Sequence, residues 1–345
     1  MYGQTRVSVR ENHIGRVRDA CIIERSGEGI LLVATVSGSQ TNVYDSNYCE
    51  EGALDLVCQL DLVDGHQSED EDDACACVAL AETDHELLLL LGTRSGRIRI
   101  ASLSQAREIS AFCLGKGPLS RIHVSPARMT FPLLILVSAG SALPRASLWL
   151  LHEDNASPVE ATAFPGDALN ACFTLDGHSL LYTDSSFALC RITVLGDTIH
   201  HLTISNNFCS RIVAIQPAGP DTAIAITEDG TLLLADLTAR QMHALARISR
   251  KHANLDILAI HPAGCLVCVG SAVPACVDVY RLDAAQRSLT LLSGEPVKVR
   301  HAMKVLACRF STRFLFCVGG GGLVVRIPVA ELEGLEGRSG MKDVE

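Results

Sequence analysis

Fourteen Cys, twelve His and a run of carboxylates are the side chains of this 345-residue chain that could do chemistry. Cys75-Ala76-Cys77 together with Cys265 and Cys268 suggests a thiolate zinc site, since zinc takes four such ligands in a tetrahedron. In a strand, however, residues three apart point to opposite faces, so Cys265 and Cys268 chelate together only if the strand breaks between them. Glu69-Asp70-Glu71-Asp72-Asp73 concentrates five carboxylates, which could draw in a basic partner or hold a hard cation. The plainer reading of such a run is a solvated loop. His85-Glu86 and His200-His201 fall into no metalloprotease, triad or dyad spacing. Gly115-Lys116-Gly117 lacks the phosphate-loop spacing, and Gly319 to Gly322 reads as a permissive hairpin turn rather than a phosphate cradle. These residues therefore predict no catalytic centre, no resident metal and no cofactor.

Charge narrows the partners. There are 29 Lys+Arg against 39 Asp+Glu, a net charge of -10. Nucleic-acid affinity depends on neutralising phosphates, so this balance argues against direct nucleic-acid binding and favours basic protein partners. The longest aliphatic run, Leu87 to Leu91, falls far short of the roughly 18 apolar residues of a membrane helix, and no membrane association is expected. Met1 to Arg10 contains no apolar stretch of the secretory kind, so an intracellular protein is expected, with its Cys as small buried hydrophobes rather than disulfides.

What must position all of these side chains is a repeat. A short β-rich segment ending in an apolar or aromatic residue recurs after a turn, closing at Tyr44, Ile100, Trp149, Ile192, Ala235, Tyr280 and Ile327, with spacings of 56, 49, 43, 43, 45 and 47 residues. A second β-rich run precedes each closing segment: Ile30 to Thr35, Glu86 to Leu91, Leu133 to Ser138, Ser179 to Thr183, Thr222 to Thr227, Cys265 to Gly270 and Phe314 to Val318. Asp176-Gly177 and Gly196-Asp197 sit between runs as hairpin turns, because both residue types tolerate positive φ. Four short strands per ~40–45 residues is the pattern of a propeller blade. The expected fold class is therefore all-β, a seven-bladed WD40-type β-propeller.

The last unit, from about Arg300, has room for three strands. Thr5 to Val9, with its two-residue alternation, is expected to supply the fourth and cover the open edge. One domain over residues 1 to 332 and a flexible tail over 333 to 345 follow from this, the tail's glycines and charges beginning near Glu331.

Trp-Asp pairs are absent, and the first third carries a more specific pattern. Arg10-Glu11-Asn12-His13, Leu32-Val33-Ala34-Thr35-Val36, Val43-Tyr44, Leu62-Val63-Asp64 before the acidic run, Ala76-Cys77, Gly92-Thr93-Arg94-Ser95-Gly96-Arg97-Ile98-Arg99-Ile100 and Ser125-Pro126 occur in that order. In this the chain resembles the extra sex combs / embryonic ectoderm development (EED) family of Polycomb WD-repeat proteins, over about its first 140 residues. The resemblance implies a nuclear, non-catalytic scaffold that holds an Enhancer-of-zeste-type SET-domain methyltransferase, with a histone tail as a second partner.

That family reads trimethyl-lysine with an aromatic cage on one mouth of the propeller. Carried over from the His13 landmark, from Ala76-Cys77 and from the position in the sixth unit, the cage positions fall on Arg18, Cys75 and Leu258. None is aromatic, and a cation-π cage needs rings; a degenerate, non-reading cage is expected. The alternative reading is an unrelated WD40 adaptor in ubiquitin ligation, trafficking or RNA processing, which the same repeat would serve equally well.

Overall fold

A computed structural model describes residues 7–10, 16–25, 30–38, 40–50, 53–61, 74–83, 86–114, 117–126, 133–139, 145–151, 159–164, 166–184, 186–195, 198–204, 210–248, 255–271, 276–283, 286–292, 297–298 and 304–333. The acidic run Glu69 to Asp73, His85, Lys116 and the tail from residue 334 lie outside them.

Antiparallel hairpins make up almost everything described. Strand β1 is Val7–Arg10. The first sheet then runs β2 (Asp19–Arg25), β3 (Ile30–Ser37), β4 (Gln40–Glu50), β5 (Ala53–Asp61), and the second β6 (Cys75–Glu82), β7 (Leu87–Thr93), β8 (Arg97–Ser102), β9 (Arg107–Cys113). The third comprises β10 (Leu119–Val124), β11 (Leu133–Ala139), β12 (Arg145–Leu151), β13 (Val159–Phe164), and the fourth β14 (Gly166–Phe173), β15 (Ser179–Asp184), β16 (Leu189–Leu195), β17 (Thr198–Ile204). The fifth is β18 (Ile212–Gly219), β19 (Thr222–Thr227), β20 (Thr231–Asp236), β21 (Gln241–Arg247). The sixth is β22 (Ile257–Ile260), β23 (Leu266–Ser271), β24 (Cys276–Asp283), β25 (Ser288–Leu291), with β26 (Val297–Lys298) also paired to β24.

Six sheets are thus built from consecutive chain, while the last consecutive segment, β27 (Val305–Phe310), β28 (Phe314–Gly319) and β29 (Leu323–Pro328), supplies three strands and takes β1 as its fourth. Val7 pairs with Arg326 and Arg10 with Leu323. The described strand begins at Val7; Thr5 and Arg6 of the expected strand lie outside the described residues. One difference concerns the tail: Val329–Glu333 forms a helical turn, α1, because Val329 and Leu332 are buried against the last two sheets.

The contacts divide the chain into two compact units. One comprises Met1–Asn12, Cys49–Leu54 and Asn207–Glu345; the other comprises His13–Tyr48 and Asp55–Asn206. In the first, Cys268, Val277, Val279, Phe310, Leu315, Cys317, Val325 and Ile327 build an apolar layer between the sixth and the composite sheet. In the second, Leu89 and Leu91 of β7 face the first sheet and Leu88 and Leu90 face the third, so both faces of that strand are core. A strand buried on both faces reads as a continuous apolar run rather than as an alternation, which is why Leu87 to Leu91 is unbroken.

A recurrent bulge sets the start of four of the sheets. The register slips after Cys75, Leu119, Ile212 and Val305, each at the beginning of its sheet's first strand and each buried. An extra residue there bends the strand and turns the bulged side chain to the other face.

Candidate functional site

The three cage positions are placed by this geometry. Arg18 ends the segment before β2, and its N–H donates to the Val36 carbonyl at 2.8 Å; its side chain is exposed. Gly38 follows β3 with φ of 59°, and its carbonyl accepts the Cys75 N–H at 2.9 Å. A Cβ built on Gly38 would lie 3.9 Å from an Arg18 guanidinium nitrogen. Arg18 and Cys75 therefore meet at one junction between the first and second sheets, with Gly38 between them. Leu258 lies in β22, in the other unit, buried among Ala214, Val267, Tyr280 and their neighbours.

At this junction the Cys75 side chain is core. It packs with Val36, Val43, Leu89 and Leu91 toward the first sheet. Cys77, two residues on, packs with Ala79, Leu90 and Leu119 toward the third. Residues two apart in a regular strand share a face; the bulge after Cys75 separates these two thiols. They thus present no common chelating face. The same position in the third and composite sheets is filled by Leu119 and Val305, which marks Cys75 as the apolar plug of its sheet.

Burial pushes the Cys77 thiol well up, the nearby Asp19 carboxylate and Cys75 add to that, and the Arg121 guanidinium opposes it. Asp19 accepts the Val78 N–H through Oδ2 at 2.9 Å, so its charge has a structural task. Around the junction stand Arg18 and, through its N–H on the Ala74 carbonyl at 3.1 Å, exposed Arg94. A guanidinium repels a methylammonium rather than enclosing it.

Cys265 and Cys268 also separate. The Cys265 thiol lies 3.6 Å from His261 Nδ1, which also accepts the Ala263 N–H at 3.2 Å. Cys268 sits in the layer with Cys308 and Cys317, whose sulfurs are 3.4 Å apart. Hydrogen bonds with Cys268 and Cys317, and burial, push the Cys308 thiol well above its ordinary value. A neutral thiol is a weak ligand and nucleophile. Sequence reasoning missed this three-thiol contact because Cys268 comes from a different sheet; the facing positions of Cys308 and Cys317 in one hairpin were the available signal. Among the described residues, no group of three or more His, Cys, Asp and Glu is arranged to hold a metal ion.

Gly319 to Gly322 makes the turn between β28 and β29, with Gly322 at φ of 75° and its N–H on the Gly319 carbonyl at 2.9 Å. His200 and His201 lie on β17, the terminal strand of the fourth sheet.

No family model matches the chain, and no curated protein matches it. Solved structures do. A chain of the crystal structure of the mitotic checkpoint complex is similar at 12% identity over 86% of each chain, with a TM-score of 0.62. The WD40 β-propeller domain of Doa1 is similar at 13% identity over 93% of this chain and 95% of that one, with a TM-score of 0.63. This chain is a WD40-like β-propeller. At such identities the similarity shows the fold alone.

Proposed function

We propose that this propeller is a nuclear, non-catalytic scaffold subunit of a Polycomb-type histone methyltransferase complex. In this reading the first six sheets and the composite sheet are seven blades of one ring over residues 1 to 332, and the ring holds an Enhancer-of-zeste-type SET-domain subunit. The observation that carries the proposal is the β7–β8 hairpin, Gly92 to Ile100, whose sequence is the most specific part of the family resemblance. Packing accounts for part of it. Gly92 is needed because a Cβ there would lie 2.5 Å from Cys77 Sγ and 3.0 Å from Leu119 Cβ, and Ile98 and Ile100 are core. Arg94 and Arg97 are exposed.

Within this function the methyl-lysine activity is lost. Exposed Arg18 and buried Cys75 support that reading, since neither offers a ring face to a cation.

Affinity purification of the full chain from cells that express it, followed by mass spectrometry, tests the proposal. A SET-domain protein in stoichiometric amount is expected, and the purified chain alone should transfer no methyl group. Recovery of ubiquitin-ligase, trafficking or RNA-processing subunits in its place would give the adaptor reading instead.

A further inference from the structure

Cys308 of β27 and Cys317 of β28 face each other in the hairpin of the composite sheet, with their sulfurs 3.4 Å apart. Cys268 of β23 reaches the same point from the sixth sheet and hydrogen-bonds with both. All three are free thiols. They lie in one apolar layer with Val279, Leu315 and Val325. In the ladders between described residues no other Cys stands opposite a Cys.

The register decides what two facing thiols can become. At the hairpin turn the Ser311 N–H donates to the Phe314 carbonyl at 2.8 Å, so these two residues form a hydrogen-bonded pair. Hydrogen-bonded and non-hydrogen-bonded pairs alternate along an antiparallel ladder. From the turn the pairs run through Phe310 with Leu315 and Arg309 with Phe316 to Cys308 with Cys317, and the register slips only beyond them, between Val305 and Ala307. Cys308 and Cys317 are therefore a non-hydrogen-bonded pair, in which Cα atoms lie about 4.5 Å apart. That falls within the roughly 4.4–6.8 Å over which disulfides close. The strands need not move; the two side chains need only turn their sulfurs from contact to bonding distance.

We propose that Cys308 and Cys317 are a modification site, a dithiol that a peroxide converts to a disulfide within the composite sheet, with Cys268 left as a free third thiol. Written for attack at Cys308, its sulfur displaces hydroxide from hydrogen peroxide: the S–O bond forms, the O–O bond breaks, and the thiol proton leaves with the hydroxide as water. The Cys317 sulfur then attacks the sulfenic acid at Cys308. The S–S bond forms, the S–O bond breaks, and the second thiol proton leaves in a second water. Two thiols and one hydrogen peroxide thus give one disulfide and two waters, the sulfurs losing two electrons and the peroxide gaining them. Attack that begins at Cys317 gives the same product.

Hydrogen bonds with Cys268 and Cys317, and then burial, hold Cys308 in its thiol form, so the first step is slow and calls for a high peroxide dose. The second step is fast, because the partner sulfur is already in contact, and it diverts Cys308 from irreversible oxidation. The finished link ties β27 to β28, and β28 carries β29, on which β1 is paired. This chemistry is independent of the methyltransferase assignment and holds for any complex the propeller joins.

The test uses the full chain, reduced and then exposed to hydrogen peroxide at a dose that oxidises exposed Cys113, followed by N-ethylmaleimide in denaturant and by trypsin without reductant. Trypsin cuts after Lys304, Arg309, Arg313 and Arg326, which puts the two Cys on separate peptides, 305–309 and 314–326. Mass spectrometry should find these two peptides joined, two hydrogens lighter than their sum, as the most abundant disulfide-linked pair, both in the parent and in Cys268→Ala. Dithiothreitol should release them. The oxidised protein should unfold about 2–4 °C above the reduced one, since the link restricts the unfolded chain without straining the native sheet. Recovery of Cys308 and Cys317 as maleimide adducts, a predominant link from either one to Cys268, or an unchanged or lower unfolding temperature on oxidation would each overturn the proposal.

Discussion

Phe187 holds the left-handed turn position that Gly230 holds in the following sheet. Its φ is 64° against 83° for Gly230, and its N–H donates to the Asp184 carbonyl at 3.1 Å as that of Gly230 does to Thr227 at 2.9 Å. Gly96 and Gly322 occupy the same place in the second and composite sheets, with φ of 87° and 75°. An L-residue there carries a steric cost of about 1–2 kcal/mol that glycine does not.

Replacing Phe187 by Gly should therefore leave stability unchanged or raise it by up to about 1 kcal/mol, after the greater entropy loss of glycine is subtracted. Chemical denaturation of the two proteins checks this. A loss above about 1 kcal/mol would mean that the half-exposed ring contributes packing that outweighs its backbone strain.

Gly92→Ala should destabilise by about 1–3 kcal/mol, because the new methyl has no room against Cys77 Sγ and Leu119. Adding Cys77→Ala opens space on one side. In a double-mutant cycle the pair should cost less than the sum of the single changes; strict additivity would place the strain elsewhere.

Acid should weaken the fifth sheet through Asp229. Its carboxyl accepts from the Thr227 hydroxyl at 2.5 Å and from the Thr231 hydroxyl at 3.1 Å, and the first of these above all holds it below the usual carboxylate range, against a smaller opposing effect of burial. A depressed native value means that the contribution is complete above the unfolded-state value of roughly 4 and is lost as pH falls through the native one. Urea midpoints measured from pH 7 to 2 should fall less steeply for Asp229→Asn than for the parent. Asp176 and Asp184 are held low by analogous turn hydrogen bonds, so part of the acid limb should persist.

Deleting residues 1 to 10 removes β1 and leaves β29 as an uncovered edge. A lower unfolding temperature and concentration-dependent association are the expected outcomes, read by calorimetry and light scattering. A deletion variant that matches the parent in both would show that the strand contributes little.

Calorimetric titration with trimethylated and unmodified histone-tail peptides should give equal and weak heats, or none, because a methylammonium gains little from a guanidinium or from a thiol turned into the core. A clear preference for the trimethylated peptide would refute the placement of the cage on Arg18, Cys75 and Leu258.

Repeat spacing made much of the fold legible. Tyr44, Ile100, Trp149, Ile192, Ala235, Tyr280 and Ile327 each fall on the third strand of a sheet, and the preceding runs each form the second. The second strands β7, β15, β19, β23 and β28 are buried nearly throughout, which gives them continuous apolar runs, and turn residues mark their ends. The helix at Val329–Glu333 was not legible, since two apolar positions among charges resemble a fraying tail until the surface that receives them is known. Nor was the burial of Cys75: a rim position and a bulged core position share one sequence pattern, and only the register slip between Cys75 and Cys77 tells them apart.

The pairing of β1 with β29 also orders the protein's synthesis. Val7–Arg10 is translated more than three hundred residues before Leu323–Pro328, its partner. Elongation at about 5–20 residues per second makes that interval tens of seconds. Throughout it an alternating strand waits with nothing to pair with, and the composite sheet is complete only after its last strand emerges. Contacts of such sequence separation are slow to form. Slower translation between the two strands would therefore lengthen the time that β1 spends without its native partner.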